Sequence, residues 1–100
     1  MMLSVQQIKF EILAYIKEFD PVFGHWTVGA SGDPKADMER LHGIDMDIDP
    51  WIFKQALTGI AARNICRYFH EILGCDAPDG LADAAAEERT RVYACLRRSN

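Results

Sequence analysis

Apolar residues in the first twenty positions recur at the spacing of one helix face. They fall three or four residues apart, at Val5, Ile8, Ile12, Ile16 and Phe19. This spacing predicts an amphipathic helix of about four turns. Ser4 and Gln7 have the spacing of a capping box at its start, and Asp20-Pro21 ends it because the residue before proline avoids the α region.

Residues 25–31, with the sequence HWTVGAS, have a different pattern in which apolar side chains alternate at Trp26, Val28 and Ala30. Alternation of this kind predicts a strand with one buried face. Asp33-Pro34 then supplies a helix cap and a first-turn proline, and His42-Gly43 supplies the end of that helix. We expect Met38 and Leu41 to face inward from this second, short helix.

The second half of the chain predicts a strand, a helix and a final strand. Residues 51–57 are ambiguous between strand and helix, but aromatic and β-branched residues directly after Pro50 favour a strand. From Thr58 to Gly74 the apolar spacing is helical, at Ala61, Ile65, Tyr68, Phe69, Ile72 and Leu73. Residues 90–97 alternate again and predict a terminal strand. The pattern leaves open whether residues 81–89 form helix or loop.

The resulting order of elements, α-β-α-β-α-β, predicts an α/β (α+β) fold in which helices cover a three-stranded sheet. The chain has 100 residues, of which 49% are hydrophobic. That length is typical of one domain and that fraction is enough to form a core. We therefore expect a single domain over residues 1–100.

The charge of the chain is concentrated in one part of it. Residues 11–50 contain nine acids and three bases, a net charge of −6, whereas residues 51–100 contain six acids and seven bases. An acidic half disfavours non-specific binding to phosphates and is compatible with contact to a basic protein surface. A solvated acidic face without a partner would show the same pattern.

Three further features concern the compartment. No run of 18 apolar residues is present, so the sequence predicts no membrane contact through a spanning helix. The first ten residues lack the basic region and cleavage site of a secretory signal. An odd number of cysteines, Cys66, Cys75 and Cys95, favours reduced thiols over a disulfide framework. We expect a cytoplasmic protein.

Two clusters have partial metal-site patterns. Asp45, Asp47 and Asp49 alternate as at the start of a calcium loop. Pro50 and Ala56, however, occupy the positions where an EF-hand requires glycine and glutamate. Cys66 and His70 share a helix face, and Cys75 follows that helix. Together with Cys95 or His42 they would suit a transition metal, but a core thiol and a surface imidazole fit the spacing as well, and the sequence leaves this choice open. No cofactor motif is present.

Arginines on the fifth predicted element and beyond it offer a route to direct nucleic-acid binding. Arg63 and Arg67 are one helical turn apart, and a basic strip would add Arg89, Arg91, Arg97 and Arg98. Trp26 and Trp51 would then supply stacking surfaces, as in single-strand binders. The alternative is that these arginines pair with Glu71, Glu87 and Glu88.

The segment from Trp26 to Ser31, followed by Asp33-Pro34 and Arg40-Leu-His42, resembles the second strand and first helix of GIY-YIG nuclease domains. A wider resemblance is to small bacterial and phage proteins of unknown activity. These proteins share a W-[Y]-V-G-x-[ST]-x-D-P step, a W-I-[FY]-x-Q-A segment, an A-R-x-[IV]-x-x-Y-F helix and a terminal V-Y-A strand. In this chain the later segments are Trp51–Ala56, Ala62–Phe69 and Val92-Tyr93-Ala94.

The nuclease resemblance implies catalytic tyrosines on paired strands, an arginine on the first helix and a metal-binding glutamate. In this chain Thr27 stands at one tyrosine position, and Asp37 stands where the arginine is expected. An acid there would repel a scissile phosphate. The other tyrosine strand is missing from its usual place, and Val92-Tyr93 would fill it only after a permutation of the chain. Cleavage is therefore not expected.

These observations favour a small non-catalytic binding or regulatory protein, and its size suits a phage or mobile-element origin. The expected partner is a protein or a nucleoprotein complex, with an oligomer formed through the C-terminal strand. The residues expected to bind are Asp33, Asp37, Asp45, Asp47, Asp49, Trp26 and Trp51. The alternative is a degenerate GIY-YIG-like nuclease or a metal-dependent hydrolase that uses His25, His42, Arg40, Arg63 and Glu71.

Overall fold

The computed structural model, which describes residues 4–78 and 89–96, contains helices and one antiparallel three-stranded sheet. This arrangement confirms the predicted α/β fold class. The elements follow in the order α1 (Val5–Phe19), β1 (Trp26–Ser31), α2 (Pro34–His42), β2 (Trp51–Gln55), α3 (Gly59–Arg67) and β3 (Arg91–Leu96). The undecided segment 81–89 lies, except for Arg89, outside the described residues.

The predicted capping box starts α1. The backbone N–H of Gln7 donates to the Ser4 hydroxyl at 3.1 Å, and the Gln7 side chain accepts from the Ser4 N–H at 3.4 Å. These bonds satisfy amides that a helix start leaves free. The buried face of α1 consists of Ile8, Ile12 and Ile16. None of the helices within the described ranges has the length and apolarity needed to cross a bilayer.

The sheet has the order β1-β3-β2, with β3 antiparallel to both neighbours. In this register Tyr93 lies opposite Gly29 on one side and opposite Phe53 on the other. Because β3 is the middle strand, both of its edges are already paired. The expectation that the C-terminal strand offers an open edge for an oligomer is therefore wrong.

Each face of the sheet is covered by a separate apolar layer. On one face α1 and α3 pack on alternate strand residues that include Val28, Val92 and Ala94. On the other face Met38 of α2 and Ile44 pack on Tyr93 and Cys95. The alternation of β3 was predicted correctly, but both of its faces are buried. Leu41, expected to face inward, is 51% exposed.

The helix that begins at α3 changes its winding before it ends. Residues Tyr68–Ile72 form a π-helical turn, and Gly74 then has a positive φ of 84°. A wider turn changes the direction of the later side chains. Ile72, predicted to lie on the buried stripe, is consequently 69% exposed. His70 points at the sheet, where its Nε2 donates to the Val28 carbonyl oxygen at 2.5 Å.

Candidate functional site

The loop between α2 and β2 is held in place by its own aspartates. Gly43 ends α2 in the left-handed conformation, with φ of 65°. The buried Asp49 carboxylate then accepts from the Asp45 N–H at 2.8 Å, and the Asp45 carboxylate accepts from the Asp47 N–H at 3.0 Å. Side-chain bonds of this kind define a loop conformation locally. Asp45 and Asp47 remain exposed, and Ile48 between Asp47 and Asp49 is 69% exposed.

Trp51 lies directly after this loop and is fixed by two hydrogen bonds. Its indole Nε1 donates to the Met46 carbonyl at 2.9 Å, and its backbone N–H donates to the Tyr15 hydroxyl at 3.0 Å. The ring stacks on Phe53 with centroids 6.3 Å apart, and the Lys35 ammonium lies 5.3 Å from the Trp51 centroid. Trp51 is half-buried, so one part of its ring stays accessible.

We refer to Asp45, Asp47, Ile48 and Trp51 as the acidic loop surface. It combines an exposed aliphatic side chain and an accessible indole with two carboxylates on a hydrogen-bonded loop. Aromatic residues in a fixed position are typical anchors of protein interfaces. The charge and the anchors therefore occur together on residues close in sequence.

Two of the residues expected to bind are buried and cannot contact a partner directly. Trp26 has no exposed surface, and its indole Nε1 donates to the Asp20 carbonyl oxygen at 2.8 Å. Asp49 is 4% exposed and holds the loop. Trp26 lies on the same face of β1 as Val28 and Ala30, and this is the face that the alternation in β1 predicts to be buried. The two side chains support the fold and offer almost no exposed surface for contact with a partner.

The two aspartates of α2 have local partners. Asp33 caps α2 by accepting from the Ala36 N–H at 3.4 Å. Asp37 accepts from the Ser31 hydroxyl at 2.5 Å and from Arg40 at 3.0 Å. Ser31 is 2% exposed, so this bond satisfies a buried hydroxyl. The charge of Asp37 is thus neutralised by Arg40. Asp37 shares no hydrogen bond with the aspartates of the loop after α2, and it is distant from them in sequence.

A small polar cleft opens between β1, the end of α2 and the segment after α3. Its volume is about 290 Å³, and its lining includes Thr27, His42 and Asp76. The backbone of Asp76 pairs with β1, because its carbonyl accepts from the Val28 N–H at 3.0 Å and its N–H donates to Trp26 at 2.8 Å. The segment after α3 therefore covers the outer edge of β1 and forms one wall of the cleft.

His42 joins this cleft to the core through Tyr93. The imidazole Nε2 and the Tyr93 hydroxyl oxygen are 2.8 Å apart. Burial lowers the pKa of His42, opposed by the charge of Asp37. Burial also raises the pKa of Tyr93, so both groups are neutral near pH 7. Tyr93 itself is only 1% exposed, and His42 is therefore the member of the pair that solvent reaches.

The five residues of the enzyme alternative do not come together. His25 lies beside the cleft, in an adjoining pocket that it lines together with His42, and it pairs with Asp20 at 2.8 Å. Arg40 lies on α2. Arg63 and Glu71 belong to the helix on the opposite face of the sheet, and Glu71 pairs with Arg67 at 3.5 Å. The sheet separates the two groups, so they cannot act on one substrate atom.

Within the described residues the structure gives no support to a preformed metal site or to a continuous basic strip. Arg97 and Arg98 of the expected strip, and Glu87 and Glu88 of its alternative, lie outside the described residues. Among residues 4–78 and 89–96, no group of three or more His, Cys, Asp or Glu side chains is placed to hold a metal ion. Cys66 is buried, and burial raises the pKa of its thiol to about 12. Arg67 lies on α3, whereas the Arg91 side chain donates to the Gly32 carbonyl at 2.8 Å on the other face.

The His42–Tyr93 contact is the feature of this region that sequence reasoning missed. The two residues are 51 positions apart, and no local pattern links them. A partial signal was the GIY-YIG resemblance, which placed a tyrosine strand beside β1 after permutation.

Comparisons of the chain with family models, with curated proteins and with solved structures each return no match.

Proposed function

We propose that this chain is a small non-catalytic binding protein that contacts a basic surface of another protein through the acidic loop surface. The observation that carries the proposal is the fixed loop itself. Asp45 and Asp47 are exposed on a loop closed by side-chain hydrogen bonds, next to Ile48 and the anchored Trp51. Prearranged contacts lose less conformational entropy on binding than mobile ones.

A catalytic role is less well supported by the same structure. Thr27 offers the cleft an alcohol rather than a phenol, and the Tyr93 phenol is buried behind His42. Asp37 and Arg40 neutralise each other at 3.0 Å. An enzyme needs groups that meet at one reacting atom with suitable charge. Among the described residues of the cleft, only His42 and Tyr93 lie close enough to each other to act on one reacting atom.

The proposal is tested by affinity capture from the native host with three forms of the chain. One is the wild type, the second carries Asp45→Asn and Asp47→Asn, and the third carries Glu18→Gln and Glu39→Gln. Both double variants remove two exposed acids, so they change the net charge equally. Asparagine at position 45 keeps the side-chain oxygen that accepts from Asp47.

We expect a protein partner that the wild type and the Glu18/Glu39 variant both retain and that the Asp45/Asp47 variant loses. Equal thermal unfolding of the three forms would show that the loss does not reflect misfolding. If every retained protein binds all three forms alike, the acidic loop surface is not the contact.

A second candidate function rests on one specific observation, the 2.8 Å contact of His42 with Tyr93 beside the open cleft. A neutral imidazole at a cleft is suited to general acid–base catalysis. The position of Tyr93 opposite Gly29 also fits the permuted GIY-YIG arrangement. We propose nucleic-acid cleavage as this alternative. Cleavage of labelled DNA or RNA with Mg²⁺ or Mn²⁺ that disappears in His42→Ala and Arg40→Ala would favour it over binding.

A further inference from the structure

The outer edge of β2 is the open edge of this sheet. In the described part of the chain β2 pairs with β3 only, and all five of its residues are partly exposed. The outer edge of β1, by contrast, is occupied by Asp76 and His70. An unpaired strand edge is a template for a further strand. The two edges of the sheet therefore differ in what they can accept.

The register defines which backbone groups of β2 point outward. The Pro50 carbonyl accepts from the Leu96 N–H of β3 at 3.0 Å, and the Ala56 N–H donates to the carbonyl of Thr90, directly before β3, at 2.8 Å. The backbone N–H and C=O groups of the even-numbered residues therefore point toward β3. The backbone N–H and C=O groups of the odd-numbered residues, Trp51, Phe53 and Gln55, point away from β3. The Trp51 N–H is occupied by the Tyr15 hydroxyl. No partner within the described ranges bonds the Phe53 N–H and carbonyl or the Gln55 N–H.

We propose that two copies of the chain pair through this edge, antiparallel and centred on Phe53, to form a six-stranded sheet. In that register the two Phe53 residues exchange both of their backbone hydrogen bonds. The Gln55 N–H of each copy donates to the Trp51 carbonyl of the other, and the Gln55 carbonyl replaces the Tyr15 hydroxyl as the acceptor of the Trp51 N–H. The free groups of the edge are thus complementary to themselves under a two-fold axis.

Charge favours the antiparallel orientation and does not oppose pairing. The acidic loop directly precedes Trp51, so antiparallel pairing places the loops of the two copies at opposite ends of the interface between the two β2 strands. Parallel pairing would bring like charges together. Within that interface the ammonium group of Lys54 is neutralised by Glu11 of its own chain, at 2.8 Å. The Phe53 rings, each stacked on a Trp51, would meet on the α2 side of the sheet.

This inference shares Trp51 with the acidic loop surface but uses none of its carboxylates, so the Asp45→Asn, Asp47→Asn variant should dimerise like the wild type and the two proposals can fail separately. Sedimentation velocity of the full chain over a concentration series tests it. We expect a dimer for the wild type. Phe53→Lys would place two ammonium groups opposite each other and weaken the dimer by about tenfold or more. Ile60→Lys, at a 67% exposed position of α3, is the matched control and should dimerise like the wild type.

Hydrogen exchange provides a second measurement that needs no variant. Protection of the Phe53 amide should rise with protein concentration, while that of Ile52, which already bonds to β3, should not. If Phe53→Lys fails to fold, Gln55→Pro replaces it, because proline removes only an outward N–H at this position. A wild-type chain that stays monomeric up to about 1 mM, or a folded variant with unchanged dimerisation, overturns the inference.

Discussion

The phenol of Tyr93 lies across Gly29, its partner on the neighbouring strand. A Cβ atom at position 29 would come within 2.7 Å of the Tyr93 hydroxyl oxygen and 2.8 Å of the Pro78 side chain. The glycine is therefore needed for close approach and not for an unusual φ, since among the described glycines the positive φ angles belong to Gly43 and Gly74. This contact holds the Tyr93 hydroxyl against His42 at the base of the cleft.

Gly29→Ala should accordingly destabilise the protein by about 1–3 kcal/mol, the usual range for overpacking. Gly24→Ala is the matched control, because a Cβ there meets only the Gly74 carbonyl at 3.9 Å. Urea unfolding of the two variants measures the difference. Equal free energies of unfolding would show that the Tyr93 side chain moves away at little cost.

His42 should make stability depend on pH. Burial lowers its pKa in the folded protein below the ordinary value of 6.5. The unfolded chain therefore takes up the proton first on acidification, and stability falls as the pH drops from about 6.5 toward the folded pKa. We expect the free energy of unfolding to fall more in the wild type than in His42→Gln between about pH 7 and pH 5.5. Parallel pH profiles would contradict this role of His42.

The Ser31–Asp37 bond should contribute measurably to stability. Asp37→Ala leaves the buried Ser31 hydroxyl without this acceptor, which costs about 1–3 kcal/mol. Asp37→Asn keeps an acceptor oxygen and should lose less. Glu39→Ala, at an exposed position of the same helix, should change stability by less than about 0.5 kcal/mol. Chemical denaturation of all three variants compares them, and an Asp37→Ala value as small as that of Glu39→Ala would refute the prediction.

The three cysteines should be unreactive in the native state. Each is at most 5% exposed, and burial raises the pKa of the Cys66 and Cys95 thiols to about 12 and that of Cys75 to about 11. The thiolate is the reacting species, so labelling by a disulfide reagent near pH 8 should be slow. It should become fast in denaturant. Rapid labelling of any one cysteine in the native protein would indicate local opening at that position.

Local signals explain which elements sequence reasoning predicted well. Ser4, Asp33-Pro34 and Thr58 each act on a few neighbouring residues, so they mark the helix starts. The strand order was not predictable in this way. It depends on the pairing of β3 with β1, in which paired residues are sixty to seventy positions apart. Pairings at that separation leave no local pattern.

The exposure of the residues expected to bind was predicted only in part, for a related reason. Asp45 and Asp47 are exposed as expected, while Asp49 on the same alternation is buried. The difference arises because Asp49 accepts the Asp45 N–H and closes the loop. Neutralising Asp49 should therefore lower stability, so it is unsuitable as a test of binding.

The most direct test of the account is the affinity of the captured partner for the Asp45→Asn, Asp47→Asn variant, measured by titration calorimetry. Loss of two exposed interface carboxylates should weaken binding by about tenfold or more. The Glu18→Gln, Glu39→Gln variant should stay within about twofold of the wild type. Equal weakening by both double variants would mean that net charge, and not the acidic loop surface, determines binding, and it would contradict the account.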